Sequence, residues 1–162
     1  MSLAGSARQR RTAWSFVGAQ FALLGLVIFL PGGDAWPVSS LFLRVCDVAS
    51  WIGIAVMVVA ALGLGRGLTA APLPNAKAQL RTGGMYGVVR HPIYFGLLLF
   101  TVAHVMASGS ALVALFGVML VVLMNFKARW EERRLVERFA GYSDYARRTP
   151  RFVPGLRVRT RA

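Results

Sequence analysis

The sequence is poor in acidic residues, in charge of either sign and in metal-binding side chains. Asp and Glu together number 6 of 162 residues and charged residues make up 15% of the chain, whereas 56% are apolar. Soluble domains are about 45–50% apolar, so the composition argues against a water-soluble globule and excludes a disordered chain. A single cysteine, Cys46, excludes an internal disulfide, and with only two histidines no metal site is expected.

Long apolar runs organise the chain instead. Because roughly 20 apolar residues cross a bilayer as a helix, we predict spans over 14–30, 48–64, 93–107 and 111–126. The last two come from one apolar tract, which Ser108-Gly109-Ser110 divides. The predicted fold class is all-α, a polytopic integral membrane protein with about four transmembrane helices. A single domain is expected over 1–162, and the Pro31-Gly32-Gly33-Asp34 sequence after the first run does not resemble a signal-peptide cleavage site.

The basic residues are distributed unevenly around these spans. Of the 19 Lys and Arg residues, 18 lie before the first span, in the loop 65–92 or in the tail from 127 to 162, whose first part is expected to continue the fourth helix. By the positive-inside rule, both termini and the long loop face the cytoplasm, and the protein is expected in the inner (plasma) membrane. Anionic lipid headgroups account for this charge, so no nucleic-acid partner is expected.

A first polar cluster precedes the third span. Pro92 suits the first turn of a helix because its missing N–H has no helical partner there. Arg90 and His91 then lie at the helix entrance, with Tyr94 on its first turn. Free amides and the helix dipole at such an entrance suit an anionic group. An interfacial anchor, with polar side chains at the end of a span, is the alternative.

A second polar cluster follows the fourth span. Asn125, Arg129 and Glu132 share one helical face by their spacing of four and three residues, whereas Glu131 faces elsewhere. Polar groups in such a position are costly and often functional, although an ordinary Arg–Glu helix pair is the alternative. His104 in the third span is interpreted as a helix-packing residue and is left out of the site.

Taken together, these residues resemble the isoprenylcysteine carboxyl methyltransferase family and the related phospholipid methyltransferases. The first matching block is Gly-x-Tyr-x-x-Val-Arg-His-Pro-x-Tyr-x-Gly over 84–96. The second, over 131–154, contains Glu-Glu-x-x-Leu, an aromatic residue, Tyr-x-x-Tyr and Pro-Arg-Phe-x-Pro, and the stretch 68–74 is also similar to bacterial members. The chain departs from the family pattern at Met85, Gly87 and Ala140.

The resemblance implies a membrane enzyme that uses S-adenosylmethionine. It also implies that the loop before the third span and the helix after the fourth enclose this cofactor. The residues that it implies for cofactor binding are Val89, Arg90, His91, Pro92, Tyr94 and Glu131. Those that it implies for catalysis, at the junction of cofactor and acceptor, are Tyr86, Arg129 and Glu132.

The partners implied are membrane lipids and a lipophilic or prenylated acceptor that carries a carboxylate or an amine. With a carboxylate, opposite charges cancel during transfer and a dry pocket favours the step, so Arg129 would orient the acceptor as a fork. With an amine, Glu132 would serve as proton acceptor or as electrostatic anchor. Two alternatives are an NADPH-dependent reductase of the sterol or steroid type and a small non-enzymatic membrane protein on the same scaffold.

Overall fold

A computed structural model of the chain describes residues 7–65 and 79–155. Residues 66–78 of the predicted cofactor loop, which include the 68–74 stretch, and the last residues of the basic tail lie outside these ranges. All regular structure in the described ranges is helical. The helices are α1 (Ala7–Phe29), α2 (Ser40–Leu64), α3 (Met85–Val88), α4 (Pro92–Ser108), α5 (Ala111–Arg138) and α6 (Tyr142–Arg148).

The first two helices begin earlier than their apolar runs. Helix α1 starts at Ala7 and takes the N-terminal arginines into its first turns, where long basic side chains can extend toward water. Helix α2 starts at Ser40 because the Ser39 hydroxyl accepts a hydrogen bond from the Phe42 N–H and caps the helix. Asp47, which directly precedes the predicted span 48–64, lies exposed inside the helix.

The division of the long apolar tract into a helical hairpin is confirmed. Helix α4 ends at Gly109, whose φ of +62° is a left-handed conformation that favours glycine. The Ser110 hydroxyl then accepts from the Val113 N–H and starts α5. Helix α5 runs on through Arg138, so the predicted continuation of the fourth span into the charged segment is also confirmed.

Three helices, α1, α2 and α5, are long and apolar enough to cross a bilayer. Helix α4 is apolar but has 17 residues, which gives about 25 Å of helix at roughly 1.5 Å per residue. Large apolar side chains cover the outer faces of the helices, among them Phe29 and Leu62, which are 85% and 76% exposed. Such surfaces suit lipid rather than water, and the chain is a polytopic helical membrane protein.

Helices α2 and α4 approach most closely at a pair of glycines. A Cβ atom on Gly53 would lie 2.6 Å from the Gly96 carbonyl oxygen, and one on Gly96 would lie 2.5 Å from the Gly53 carbonyl oxygen. Small residues allow this kind of backbone approach between helices in membranes. The buried centre lies beside it, where Leu97 of α4 meets Leu120 and Met124 of α5.

The loops at one end of the bundle are joined by hydrogen bonds. The Gly33 and Ala35 amides donate to the carbonyls of Ser108 and Gly109, and the Trp36 indole N–H donates to the Met106 carbonyl. This contact holds the α1–α2 loop against the α4–α5 turn. The polar clusters predicted from the sequence lie at the opposite end, where α2 ends and α4 begins.

Candidate active site

The candidate site is built from three parts of the chain. Pro92 starts α4, as predicted, and this places Arg90 and His91 at its entrance. The polar half of α5 brings Glu131 and Glu132 beside them. The segment after α6 lies against the same entrance, because the Arg90 and His91 amides donate to the Pro150 and Arg151 carbonyls at 2.9 and 3.1 Å.

The chain itself uses the Arg90 and His91 amides, which precede the first helical residue of α4. The free amides of the first turn of a helix are those of its first residues, here Ile93 and Tyr94, so the expectation that this entrance suits an anionic group stays a prediction. Arg90 is fixed further because its Nη1 donates to the Ala146 carbonyl at 2.5 Å. Arg90 is therefore fixed at this entrance through both its backbone and its side chain.

Glu132 is the centre of an ion-pair network. Its Oε1 atom accepts from Arg90 Nε at 3.0 Å, from His91 Nε2 at 3.1 Å and from Arg151 Nε at 3.0 Å. Its Oε2 atom accepts from Arg151 Nη2 at 2.6 Å, which makes the Arg151 contact bidentate. Arg151 Nη1 also donates to Asn125 Oδ1 at 3.2 Å. The two sequence motifs thus meet in one cluster.

Glu131 lies on the other side of His91. It accepts a hydrogen bond from the Tyr94 hydroxyl at 2.8 Å, and its Oε2 atom lies 3.9 Å from His91 Nδ1. The expectation that Glu131 faces away from the cluster is therefore wrong, because one imidazole reaches both neighbouring carboxylates, each through a different ring nitrogen. The Glu131 side chain is 25% exposed and that of Glu132 12%, so Glu131 is the more accessible of the two.

An aromatic surface accompanies these carboxylates. The His91 and Tyr94 rings are stacked, with centroids 5.1 Å apart and planes 5° from parallel. Phe152 lies tilted against both rings, at 5.9 and 6.4 Å. The phenylalanine of the C-terminal Pro-Arg-Phe motif thus completes a three-ring surface beside the carboxylates.

Tyr86 joins the site to its surroundings. Its hydroxyl donates to the Ala60 carbonyl at the end of α2 at 3.3 Å, and its own carbonyl accepts from the Tyr145 hydroxyl at 2.5 Å. Burial and the nearby Glu131 carboxylate raise the pKa of Tyr86 to about 12, so the phenol is neutral at physiological pH. Val89 and Pro92, the other residues implied for cofactor binding, are buried.

Arg129 is not brought to this cluster. Its side chain is exposed on α5, whereas Asn125 and Glu132, which were expected to share its face, are joined through Arg151. Seven residues make almost two full helical turns, so Asn125 and Glu132 align more closely with each other than either does with Arg129. The role of Arg129 toward an acceptor stays a prediction.

Two charged participants were not predicted to take part. Arg151 was noted only within a motif, and its pairing with Glu132 needs a chain reversal that helical spacing does not reveal. Lys127 is buried between three helices, and its Nζ donates to Gln20 Oε1 of α1 at 2.6 Å and lies 5.2 Å from the Tyr94 ring centroid. Its spacing of four residues from Glu131 was the available signal.

The site fits the chemical groups of S-adenosylmethionine. A cationic sulfonium centre and an adenine ring suit the aromatic surface of His91, Tyr94 and Phe152. Glu131 is an accessible acceptor for N–H donors. The Tyr142 hydroxyl is buried without a hydrogen-bond partner among the described residues. Because burial raises the pKa of this phenol, the hydroxyl keeps its proton and can donate a hydrogen bond to a ligand. Within 7–65 and 79–155, no group of three or more His, Cys, Asp or Glu side chains is arranged to hold a metal ion.

The fold and this site define a polytopic helical membrane protein with a polar, ring-lined cluster at one end of the bundle. The family model described as phospholipid methyltransferase matches residues 48–141, which run from α2 to the turn before α6. The chain belongs to this family, and the resemblance inferred from its two motifs is confirmed.

Three curated proteins show how the chain compares with relatives. It is 40% identical over 85 residues to methanethiol S-methyltransferase 2 of Bradyrhizobium diazoefficiens, covering 51% of this chain and 32% of that protein. It is 32% identical over 114 residues to nickel-cobalt-cadmium resistance protein NccN of Alcaligenes xylosoxydans xylosoxydans, covering 66% and 54%. Cobalt-zinc-cadmium resistance protein CzcN of Cupriavidus metallidurans is 35% identical over 78 residues, covering 48% and 36%. The chain spans about a third to about half of these relatives' lengths.

Proposed function

We propose that this protein transfers a methyl group from S-adenosylmethionine to a lipophilic acceptor at the cytoplasmic face of the inner membrane. The observation that carries the proposal is the position of His91, held between the Glu131 and Glu132 carboxylates where the two family motifs meet. Membership of the phospholipid methyltransferase family and the similarity to a protein named as a methyltransferase support it.

Each side chain of the candidate site has a role in the proposed methyl transfer. S-adenosylmethionine, when bound, supplies an electrophilic methyl group on a sulfonium centre. His91, Tyr94 and Phe152 provide the ring surface against it, and Glu131 accepts hydrogen bonds from its amino groups. Glu132 does not face the ligand directly but fixes Arg90, His91 and Arg151, so that positioning is the main catalytic contribution.

The acceptor is proposed to be lipophilic because the site lies at the end of a bundle with apolar outer faces. An apolar chain can reach it from the bilayer while the cofactor enters from water. A carboxylate or an amine was expected from the sequence, and the name of the Bradyrhizobium relative adds a thiol to these nucleophiles. Arg129, which is exposed, and Tyr86, which is partly buried, are proposed to contact the acceptor where it enters. Arg129→Ala should therefore raise the KM for the acceptor more than it changes the affinity for the cofactor.

Ligand binding in detergent or nanodiscs tests the proposal. S-adenosylhomocysteine should bind saturably by calorimetry, and His91→Ala should weaken this binding by about threefold to tenfold, as expected on losing one ring contact with the ligand. His104→Ala is a matched control, because His104 lies on the same helix and stacks on Phe100, away from the site.

NADPH serves as the parallel ligand. Binding of NADPH alone would contradict the proposal and assign the protein to the reductase alternative. Binding of neither ligand by a folded sample would support the non-enzymatic alternative.

A further inference from the structure

Lys127 is a cation in an unusual place. Its side chain is 3% exposed, and it lies among α1, α4 and α5 rather than at the surface. Lysine is almost never fully buried unless it is paired with an opposite charge. Within the described ranges its ammonium forms no ion pair, and its hydrogen bond goes to the neutral amide of Gln20.

The position of Lys127 links it to the site. It precedes Glu131 by one helical turn on the same face of α5, and Tyr94 lies between them. The Tyr94 hydroxyl donates to Glu131, whereas its ring faces the Lys127 ammonium at 5.2 Å from the centroid. Lys127 is also adjacent in sequence to the apolar part of α5 and close to buried Met124. The ammonium therefore lies on the membrane side of the proposed cofactor surface.

An ammonium has three N–H donors, and a single partner, Gln20, accepts from this one in the described residues. In a site with little water, the remaining donors favour an anion strongly, because electrostatic interactions strengthen as the dielectric falls. A protonated amine at the same point would meet a like charge. Lys127 is thus placed to distinguish nucleophiles by charge.

We infer that Lys127, held between Gln20 and the Tyr94 ring, binds the acceptor's nucleophile as an anion and makes the enzyme select a thiolate or carboxylate over an amine. This inference rests on the proposed function and adds a specificity-determining residue to it. A thiol acceptor releases its proton to water before transfer. A lone pair of the anion then forms the bond to the methyl carbon, and the breaking carbon–sulfur bond returns its pair to the sulfonium sulfur, which becomes a neutral thioether.

Three chain-matched probes test this inference: dodecanethiol, dodecanoate and dodecylamine, each with labelled S-adenosylmethionine and the full chain in nanodiscs. The wild type should methylate the thiol or the carboxylate, and the product, thioether or ester, distinguishes these two sources of an anion. Lys127→Met should lower that transfer by about tenfold or more, the loss expected for one hydrogen bond to a charged group. Lys127→Arg should restore part of it.

Two control variants separate charge from structure. Gln20→Leu removes the hydrogen bond between α1 and α5 but keeps the ammonium, and Arg133→Met removes an exposed cation from the same helix. Both should keep the preference for the anionic probe. With the thiol, the wild-type pH–rate midpoint should lie below the pKa of the free thiol, and Lys127→Met should move it upward toward that value, which a purely structural lysine would not do.

The possible results are distinguishable. Equal or faster methylation of the amine, or no transfer to any probe by protein that binds S-adenosylhomocysteine, would overturn the inference and leave the proposed function standing. If Gln20→Leu loses as much methyl transfer as Lys127→Met, and Lys127→Met leaves the pH–rate midpoint unchanged, the inference is overturned. Lys127 would then serve to hold α1 and α5 together. If Lys127→Met fails to fold, the wild-type probe preference and pH–rate midpoint decide the question. Absence of S-adenosylhomocysteine binding would instead refute the proposed function.

Discussion

Neighbouring glutamates on α5 have different physical situations, and this difference separates their roles. Glu132 accepts from two arginines and a histidine, and its side chain is 12% exposed. Glu131 accepts from the Tyr94 hydroxyl and keeps a side chain that is 25% exposed. A carboxylate that neutralises partly buried arginines supports the fold, whereas an accessible one can contact a ligand.

Glutamine substitutions at these two positions should therefore affect different properties, stability at Glu132 and ligand affinity at Glu131. Glu132→Gln leaves Arg90 and Arg151 without their counter-charge and should destabilise the protein by about 3 kcal/mol, seen as a clear fall in melting temperature. Glu131→Gln should leave melting close to wild type but weaken S-adenosylhomocysteine binding. Equal thermal losses in both variants, with equal affinities, would contradict this division of roles.

At the scale of helices, the glycine that ends the first motif is a packing residue. The backbone carbonyl of Gly53 occupies the space that a Cβ atom on Gly96 would need, and the reverse is also true. Because α4 carries Arg90, His91 and Tyr94 at its entrance, the contact between α2 and α4 sets where these side chains lie relative to Tyr86 and α5.

Adding one methyl group at this crossing should separate the helices. Gly53→Ala places its Cβ against the backbone of Gly96 and Phe100, so we expect a loss of about 1–3 kcal/mol, as for other overpacked sites, and weaker ligand binding. Gly63→Ala on the same helix meets nothing within 4 Å and should be neutral or slightly stabilising, since alanine favours helix over glycine. Similar melting temperatures for the two variants would refute this account.

At the scale of the whole molecule, the bundle has two distinct ends. One end holds the α1–α2 loop against the α4–α5 turn through backbone hydrogen bonds. The other holds the charged half of α5, α6 and the Arg90–Glu132–Arg151 network. The distribution of basic residues predicts that the second end faces the cytoplasm.

Cysteine labelling tests this orientation. With Cys46→Ser as background, Asp34→Cys introduces a thiol in the first loop and Ser143→Cys introduces one on α6, both at exposed positions. A membrane-impermeant maleimide should label the first in intact cells and the second only after permeabilisation. The reverse pattern would invert the topology and place the proposed site on the outer face.

Hydrophobic run length and turn chemistry were sufficient to predict most of the helical framework. Pro92 starts α4, and Ser108-Gly109-Ser110 divides the long apolar tract, because each feature acts within a few residues of the chain. The starts of α1 and α2 were predicted less well. The Ser39 cap begins α2 well before the apolar run, since a local hydrogen bond rather than hydropathy defines a helix end.

The site shows the same division between local and distant information. Sequence motifs identified Arg90, His91, Tyr94, Glu131 and Glu132, which the fold brings together. Helical spacing grouped Arg129 with Asn125 and Glu132, but the partner of these two is Arg151, which arrives from a segment beyond α6. The burial of Lys127 likewise depends on Gln20, which lies 107 positions away on α1. Charge pairing across such separations is decided by packing, because a local pattern specifies which face a side chain occupies and not what lies opposite.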